Sequence, residues 1–479
     1  MIDRTTAALS RAFAHANAHL NGLDTAPVCA TADLMTLRQR LGRPFEEKGI
    51  DPEQVIDELV SDVSGGILGS AGGRFFGWVI GGALPSALAA DWLASAYDQN
   101  AALYACGPAA AVVEEVAGAW TRELLGLPTK ASFALTTGCQ MAHFTCLAAA
   151  RHALLKEQGW DVEERGLVGA PQITVLTGEA AHGSIDRAIR LLGLGSRSLV
   201  VLATDEHDRL STDALVSHLE SRKGEPQVVV LQAGDINTGA FDDFGELIPL
   251  AKKIGSWVHV DGAFGLWSAA SPVKRHLVKD VHLADSWATD GHKWLNLPYD
   301  CGIAFVADPE GHRGAVSHRA SYLTHDEDAR DQIDWNPDWS RRARGFALYA
   351  ALRELGRSGV AELIDRTCRH AKALVDGMSV VPGVEVLSWP TLNQGLVRFP
   401  DLRAGASELD HDRHTDAVIA RVVATGEAFF GGTTWRGRRA MRISVCNWRT
   451  NESDVRRAVE AVKAVVCKPR IENHFDPVI

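Results

Sequence analysis

The sequence predicts an α/β fold: a mainly parallel sheet in a large domain, followed by a smaller α+β domain at the C-terminal end. Three observations carry this expectation. From Phe133 onward, short apolar runs alternate with helical patterns, the signature of a parallel sheet covered by helices on both faces. Beyond about residue 340 the alternation gives way to two long helical stretches and then a few strands. The chain has 479 residues, 46% hydrophobic and 23% charged, so it is long enough for a sizeable core and has an ordinary globular composition. Disordered, collagenous and coiled-coil chains are excluded.

The first 75 or so residues read as helical and polar, then turn glycine-rich from Gly65 to Gly82. Such an arm is expected to pack on something larger, another subunit included. The uncharged run from Phe75 to Ala90 is broken by Gly77, Gly81, Gly82 and Pro85, and it is shorter than the roughly 20 residues a membrane span needs. It reads as a buried loop leading into a helix. Expected strands are Ser132 to Thr136, Ile173 to Thr177, Leu199 to Ala203, Val228 to Leu231, Trp257 to Val260 and Cys301 to Ala307. Helical segments lie between them, at His143 to Glu157, Ile185 to Leu192, Thr212 to Arg222 and Phe244 to Ile254. In the C-terminal part, helices are expected over Arg341 to Leu355 and Val360 to Met378, then strands near Val384 to Leu387 and Gly395 to Phe399. A helix at Thr415 to Thr425, a strand at Arg439 to Val445 and a helix at Glu452 to Val466 complete it. The expected division is an arm over 1–75, a large domain over 76–350 and a small domain over 351–479.

Lys and Arg total 49 against 60 Asp and Glu, a formal charge of -11, which repels phosphate backbones and anionic lipid. Neither nucleic acid nor a membrane is the expected partner. The eight cysteines are scattered without a CxxC pair, as in reduced thiols of a cytosolic protein. The N-terminus has no basic start followed by an apolar run, so a cytoplasmic location is expected.

Four segments look chemical. WVHVDGAFG ends a strand in an acid, Asp261, where the strands of a parallel sheet present ligands. In DGHKW, Lys293 is bracketed by Gly291, His292 and Trp294, and a partly desolvated lysine makes a usable amine nucleophile. TTGCQ turns from a strand into a helix at Gly138, and the N–H groups of a helix start suit a phosphate. His182, opening a helix after a strand, is placed to stack on a planar ring. Taken singly, each has a bland reading: a turn-capping acid, a surface lysine, an ordinary strand–helix turn, a helix-capping histidine. Together they are the parts needed to hold pyridoxal phosphate, with a Schiff-base lysine and an acid that keeps the pyridine nitrogen protonated.

HVDGAFG, DGHKW and SYLTH at 321–325, with the separations among His182, Asp261, Lys293 and Tyr322, resemble the group II pyridoxal-phosphate-dependent amino-acid decarboxylases. These are relatives of aromatic-L-amino-acid and glutamate decarboxylases, and the similarity runs from about Gly65 to Val466. The resemblance implies fold type I, the aspartate-aminotransferase architecture, and a homodimer with shared active sites. It implies Lys293 as the cofactor lysine, Asp261 as the pyridinium partner and His182 as the stacking base. Gly138, Cys139, Gln140 and His292 would contact the phosphate, and Asn237 would lie near the cofactor hydroxyl. Tyr322, on the family's mobile loop, would return a proton after CO2 leaves. Gly77, Trp78 and Arg442 would face the substrate. Asp290 stands where the family often has Asn, an acid that would repel the phosphate unless turned away or paired.

The same cofactor also serves transamination and oxygen-dependent aldehyde formation. A metallohydrolase built on His259, Asp261 and His292 lacks any HExxH-like spacing, so no metal is expected.

Overall fold

The computed structural model describes residues 2–318 and 329–467, so Tyr322 lies outside the described residues. Numbered in chain order, the helices are α1 (Ile2–Gly22), α2 (Leu34–Leu41), α3 (Pro52–Asp62), α4 (Pro85–Tyr97), α5 (Pro108–Leu124), α6 (Cys139–Glu157) and α7 (Val162–Arg165). They continue as α8 (Ser184–Leu191), α9 (Thr212–Ser221), α10 (Phe244–Lys253), α11 (Pro309–Val316), α12 (Gly345–Ser379), α13 (Glu408–Ala424) and α14 (Glu452–Val466).

Among the described residues, seven strands form the large sheet: β1 (Ser132–Thr136), β2 (Thr174–Gly178), β3 (Leu199–Leu202), β4 (Gln227–Gln232), β5 (Trp257–Asp261), β6 (Ser286–Asp290) and β7 (Gly302–Val306). Their order is β1-β7-β6-β5-β4-β2-β3. The pairs from β3 through β6 are parallel, whereas β7 runs antiparallel to both β6 and β1. The alternating pattern predicts a parallel sheet, and β7 departs from it for a physical reason. The segment from β6 to β7 is too short to carry a crossover helix, and a short connection joins antiparallel neighbours. That connection holds Lys293. Every residue of β1, β2, β4, β5, β6 and β7 is buried, which explains why they read as apolar runs rather than alternating ones.

A second, antiparallel sheet contains β8 (Glu385–Ser388), β9 (Gln394–Arg398), β10 (Gly431–Trp435) and β11 (Arg438–Ser444), in the order β10-β11-β9-β8. β10 is absent from the expected strands because GGTTW reads as a turn. As the edge strand it is only partly covered. Phe399, Val422, Phe430, Met441, Val445 and Val462 make a separate core around this sheet and α13 and α14. The two helices expected around residues 341–378 are present, meeting within α12 at Gly356, where φ 58° and ψ -176° break the helical path in a region ordinary residues rarely adopt. The start of α12 is four residues later than expected because Arg341 leaves the helical path to pair with Glu114 at 2.7 Å, both fully buried.

From Gly72 onward the glycine-rich stretch is largely buried in its own chain, with Arg74, Phe75, Phe76 and Val79 at most 2% exposed, while Ile67 and Trp78 present large apolar surface. The Arg74 guanidinium holds it there by donating to the carbonyls of Leu23, Asp24, Ala26, Gly426 and Glu427, which ties the arm to the small sheet. No helix among the described residues is long and apolar enough to cross a membrane.

Candidate active site

Loops at the C-terminal ends of β1, β2, β4, β5 and β6 converge on a cavity of about 460 Å³, the edge of a parallel sheet where ligands bind. The β1–α6 turn contributes Gly138, Cys139 and Gln140. The segment after β2 contributes His182 and Arg187, β4 ends in Gln232, β5 ends in Asp261, and the β6–β7 connection brings Asp290, His292 and Lys293.

The β1–α6 turn can sit low in the cavity because Gly302, the first residue of β7, has no side chain. A Cβ there would fall 2.3 Å from the Gly138 carbonyl carbon. At the start of α6 the Cys139 N–H donates to Asp290 Oδ1 at 2.6 Å. Asp290 Oδ2 lies 3.0 Å from Lys293 Nζ, and His292 Nε2 lies 3.5 Å from Oδ1. The acid that stands in place of the family's Asn is therefore paired three ways, which compensates its charge. His292 Nδ1 accepts from the Cys301 N–H at 3.1 Å, so the proton of the neutral ring sits on Nε2, toward Asp290.

Lys293 differs from the sequence expectation. Burial pulls its pKa down, but Asp290, Cys139 and Asp261 more than reverse this and hold it above the usual lysine value. The ammonium form is thus favoured until another group displaces Asp290. Burial lowers the pKa of His292 and of His182, in both cases against the opposing effect of a nearby carboxylate. His182 does two jobs at once: its Nδ1 accepts from the Ser184 N–H at 3.2 Å at the start of α8, while the ring lines the cavity. Burial, with Asp290 and Asp261, pushes the Cys139 thiol well above its ordinary range.

Asp261 is 4% exposed. Its Oδ1 accepts from the Ala263 N–H at 3.2 Å and its Oδ2 lies 3.5 Å from His143 Nε2. Of the metallohydrolase set, only Asp261 joins a metal-sized group, and its companions are Cys139 and His143.

Four sequence-expected residues do not line the cavity. Asn237 sits beyond Ile236, its side-chain oxygen accepting from Thr433 of β10 at 2.9 Å. Gly77 rests against the Phe429 ring, and half-exposed Trp78 is 5.0 Å from that ring. Arg442 on β11 is buried, its Nε without a hydrogen-bond partner among the described residues, and its charge acts on His182 and Asp235. Sequence reasoning passed over Gln232, His143 and Asn296. Gln232 pairs in register with Asp261, and His143 follows Cys139 by one helical turn. The fully buried Asn296 accepts from the N–H groups of Gly82 (2.7 Å) and Trp448 (2.9 Å), and donates to the carbonyls of Trp294 and Cys446. It fixes the turn that carries Lys293.

The residues fit pyridoxal phosphate. A helix start with a buried Gln140 Nε2 that has no hydrogen-bond partner among the described residues offers donors to a phosphate, an acid faces the cavity from β5, and a lysine amine lines the same cavity.

Comparison with known proteins agrees. The pyridoxal-dependent decarboxylase conserved domain matches residues 36–400. An aromatic-L-amino-acid decarboxylase of Bacillus atrophaeus is 26% identical, over 93% of this chain and 92% of the relative. An L-2,4-diaminobutyrate decarboxylase of Rhizobium meliloti is 28% identical over 78% of this chain and 74% of the relative. The crystal structure of Oryza sativa TDC with PLP and tryptamine superposes with a TM-score of 0.91 at 24% identity, covering 97% of this chain and 98% of that one, and shares the fold. The chain belongs to the pyridoxal-dependent decarboxylase family, carboxy-lyases that use pyridoxal 5'-phosphate as cofactor.

Proposed function

We propose that this chain decarboxylates an L-amino acid to its amine and CO2, with Lys293, Asp261 and His182 around the reacting centre and Tyr322 as proton donor. The observation that supports this most is the convergence of Lys293, Asp261 and the α6 start on one cavity. When bound, pyridoxal 5'-phosphate supplies an aldehyde for amines and a ring that withdraws electrons. Gln140, His292 and the turn at Gly138 and Cys139 would hold its phosphate. Asp261 would supply a carboxylate to the ring nitrogen, and His182 would serve as the stacking base. Asp290 holds the proton of Lys293 in the resting site at 3.0 Å. The roles of Arg442 and Asn237 toward substrate and cofactor, and of Gly77 and Trp78 toward substrate, rest on the family resemblance alone, since none of the four lines the cavity.

Aromatic amino acids are the first class to assay, since the B. atrophaeus relative and the Oryza sativa tryptophan decarboxylase 1 are named for them. Diaminobutyrate and aspartate, for which two other relatives are named, form the comparison set.

Aldehyde formation and transamination are the competing outcomes on the same scaffold, and Tyr322 favours simple decarboxylation. A phenol delivering the proton contributes about 10²- to 10⁴-fold. Tyr322→Phe is therefore expected to slow amine release by that order and, in air, to divert product toward aldehyde, ammonia and peroxide at the expense of oxygen. An unchanged amine rate would remove Tyr322 from the chemistry.

A homodimer completes the proposal. Leu9, Phe13, Leu34, Met35 and Phe45 of the arm are strongly exposed apolar side chains that a partner subunit would cover. Light scattering at working concentration should give twice the chain mass; a fully active monomer would refute the assembly.

A further inference from the structure

Behind Asp261 runs a line of buried polar side chains. Trp257 Nε1 donates to Ser286 Oγ at 2.9 Å, and Ser286 Oγ lies 2.9 Å from His259 Nδ1. His259 Nε2 lies 2.9 Å from His143 Nδ1, and His143 Nε2 faces Asp261 Oδ2 at 3.5 Å. Cys139 Sγ is 3.4 Å from the same His143 nitrogen. The local structure makes this alignment. Trp257, His259 and Asp261 are alternate residues of β5 and share a face, Ser286 of β6 is in register with His259, and His143 reaches that face from the second turn of α6.

The carboxylate gives the line a direction. A lone pair on His143 Nε2 would be set against the Asp261 anion, so the proton of neutral His143 sits on Nε2 and its Nδ1 accepts from His259 Nε2. His259 Nδ1 is then the acceptor, and Ser286, which accepts from the Trp257 indole, offers it the hydroxyl proton. Both rings are neutral: burial pulls the pKa of His143 and of His259 down to about 3.

We propose that His143, locked in one tautomer by His259 and Ser286, is a positioning residue that holds the Asp261 carboxylate aimed into the cavity, and so sets how tightly the cofactor's ring nitrogen is held. The proposal rests on the reading of Asp261 as the partner of that nitrogen. Lys293 and His182 also act on Asp261, and neither is altered in the test.

The test measures equilibrium binding of pyridoxal 5'-phosphate and of its 1-deaza analogue, which has no ring nitrogen, to the cofactor-free protein. His143→Leu is expected to weaken pyridoxal 5'-phosphate about tenfold, the scale of one hydrogen bond to a charged group, and the analogue less than about twofold. His143→Gln, which keeps a donor toward Asp261, should recover most of the loss. Ser286→Ala removes the relay three links behind Asp261 and should show the same selectivity more weakly, so it decides the matter if His143→Leu does not fold. Equal weakening of both ligands, or none, would overturn the proposal. Asp261→Asn run alongside separates the two failures: if it too fails to discriminate between the ligands, the reading of Asp261 is wrong; if it discriminates and His143→Leu does not, the relay is.

Discussion

Lys293→Ala is expected to lower turnover by at least about 10³-fold, because it removes both the amine that bonds the cofactor and the nearest mobile proton carrier. The substitution should leave the fold intact. The turn is fixed by Asn296, whose four hydrogen bonds do not involve the lysine side chain. Cofactor should still enter, held by the α6 start and Asp261, but without a covalent link. Borohydride treatment followed by peptide mass analysis should place a reduced cofactor adduct on Lys293 in the wild type and on no lysine in the variant. An adduct persisting in the variant would refute the assignment.

Gly81→Ala is expected to cost about 10²-fold in activity although Gly81 does not line the cavity. A Cβ there would lie 2.0 Å from the Lys293 carbonyl oxygen, a backbone atom that cannot rotate away. The neighbouring bonds, Gly82 N–H to Asn296 Oδ1 at 2.7 Å and Leu84 N–H to the Asn296 carbonyl at 2.8 Å, clamp the two segments together. Separating them displaces the lysine, and a displacement near 1 Å costs on that order in rate. Forcing a methyl into a packed contact also destabilises by about 1–3 kcal/mol. Gly431→Ala, where a Cβ meets nothing within 4 Å, is the control and should be silent in melting temperature and rate. Wild-type activity in Gly81→Ala would show that the contact is not needed.

What the sequence could and could not tell follows from where the physical constraint lies. The large sheet was legible because its strands are buried on both faces and so appear as unbroken apolar runs such as Val228 to Leu231. The residues that line the cavity stood out because Asp261 ends a strand, Cys139 opens a helix, and His182 and Lys293 follow strands within a few residues, at the edge where ligands bind. β6 was harder: SWATD has a polar residue at three of its five positions, and Ser286 is buried because Trp257 and His259 bond to its hydroxyl. The direction of β7 and the role of Asn296 depend on partners distant in sequence. So does the place of the glycine-rich stretch, which reads as too apolar for a surface but is anchored through its own Arg74 to the Glu427 carbonyl and stacked through Phe75 on Phe429 of the same chain. The charge of Lys293 was misjudged for a local reason. Desolvation alone lowers a lysine pKa, but Asp290, three residues earlier, sits at ion-pair distance and reverses the sign.

The most direct test of the proposed reaction is product stoichiometry. Purified holoenzyme would be incubated with a panel of L-amino acids, aromatic ones first, while CO2, amine, aldehyde, keto acid and peroxide are quantified separately under air and under nitrogen. One amine per CO2, the same in both atmospheres and without peroxide, is the expected result for simple decarboxylation. Keto acid without CO2, or oxygen-dependent aldehyde and peroxide in place of amine, would contradict it.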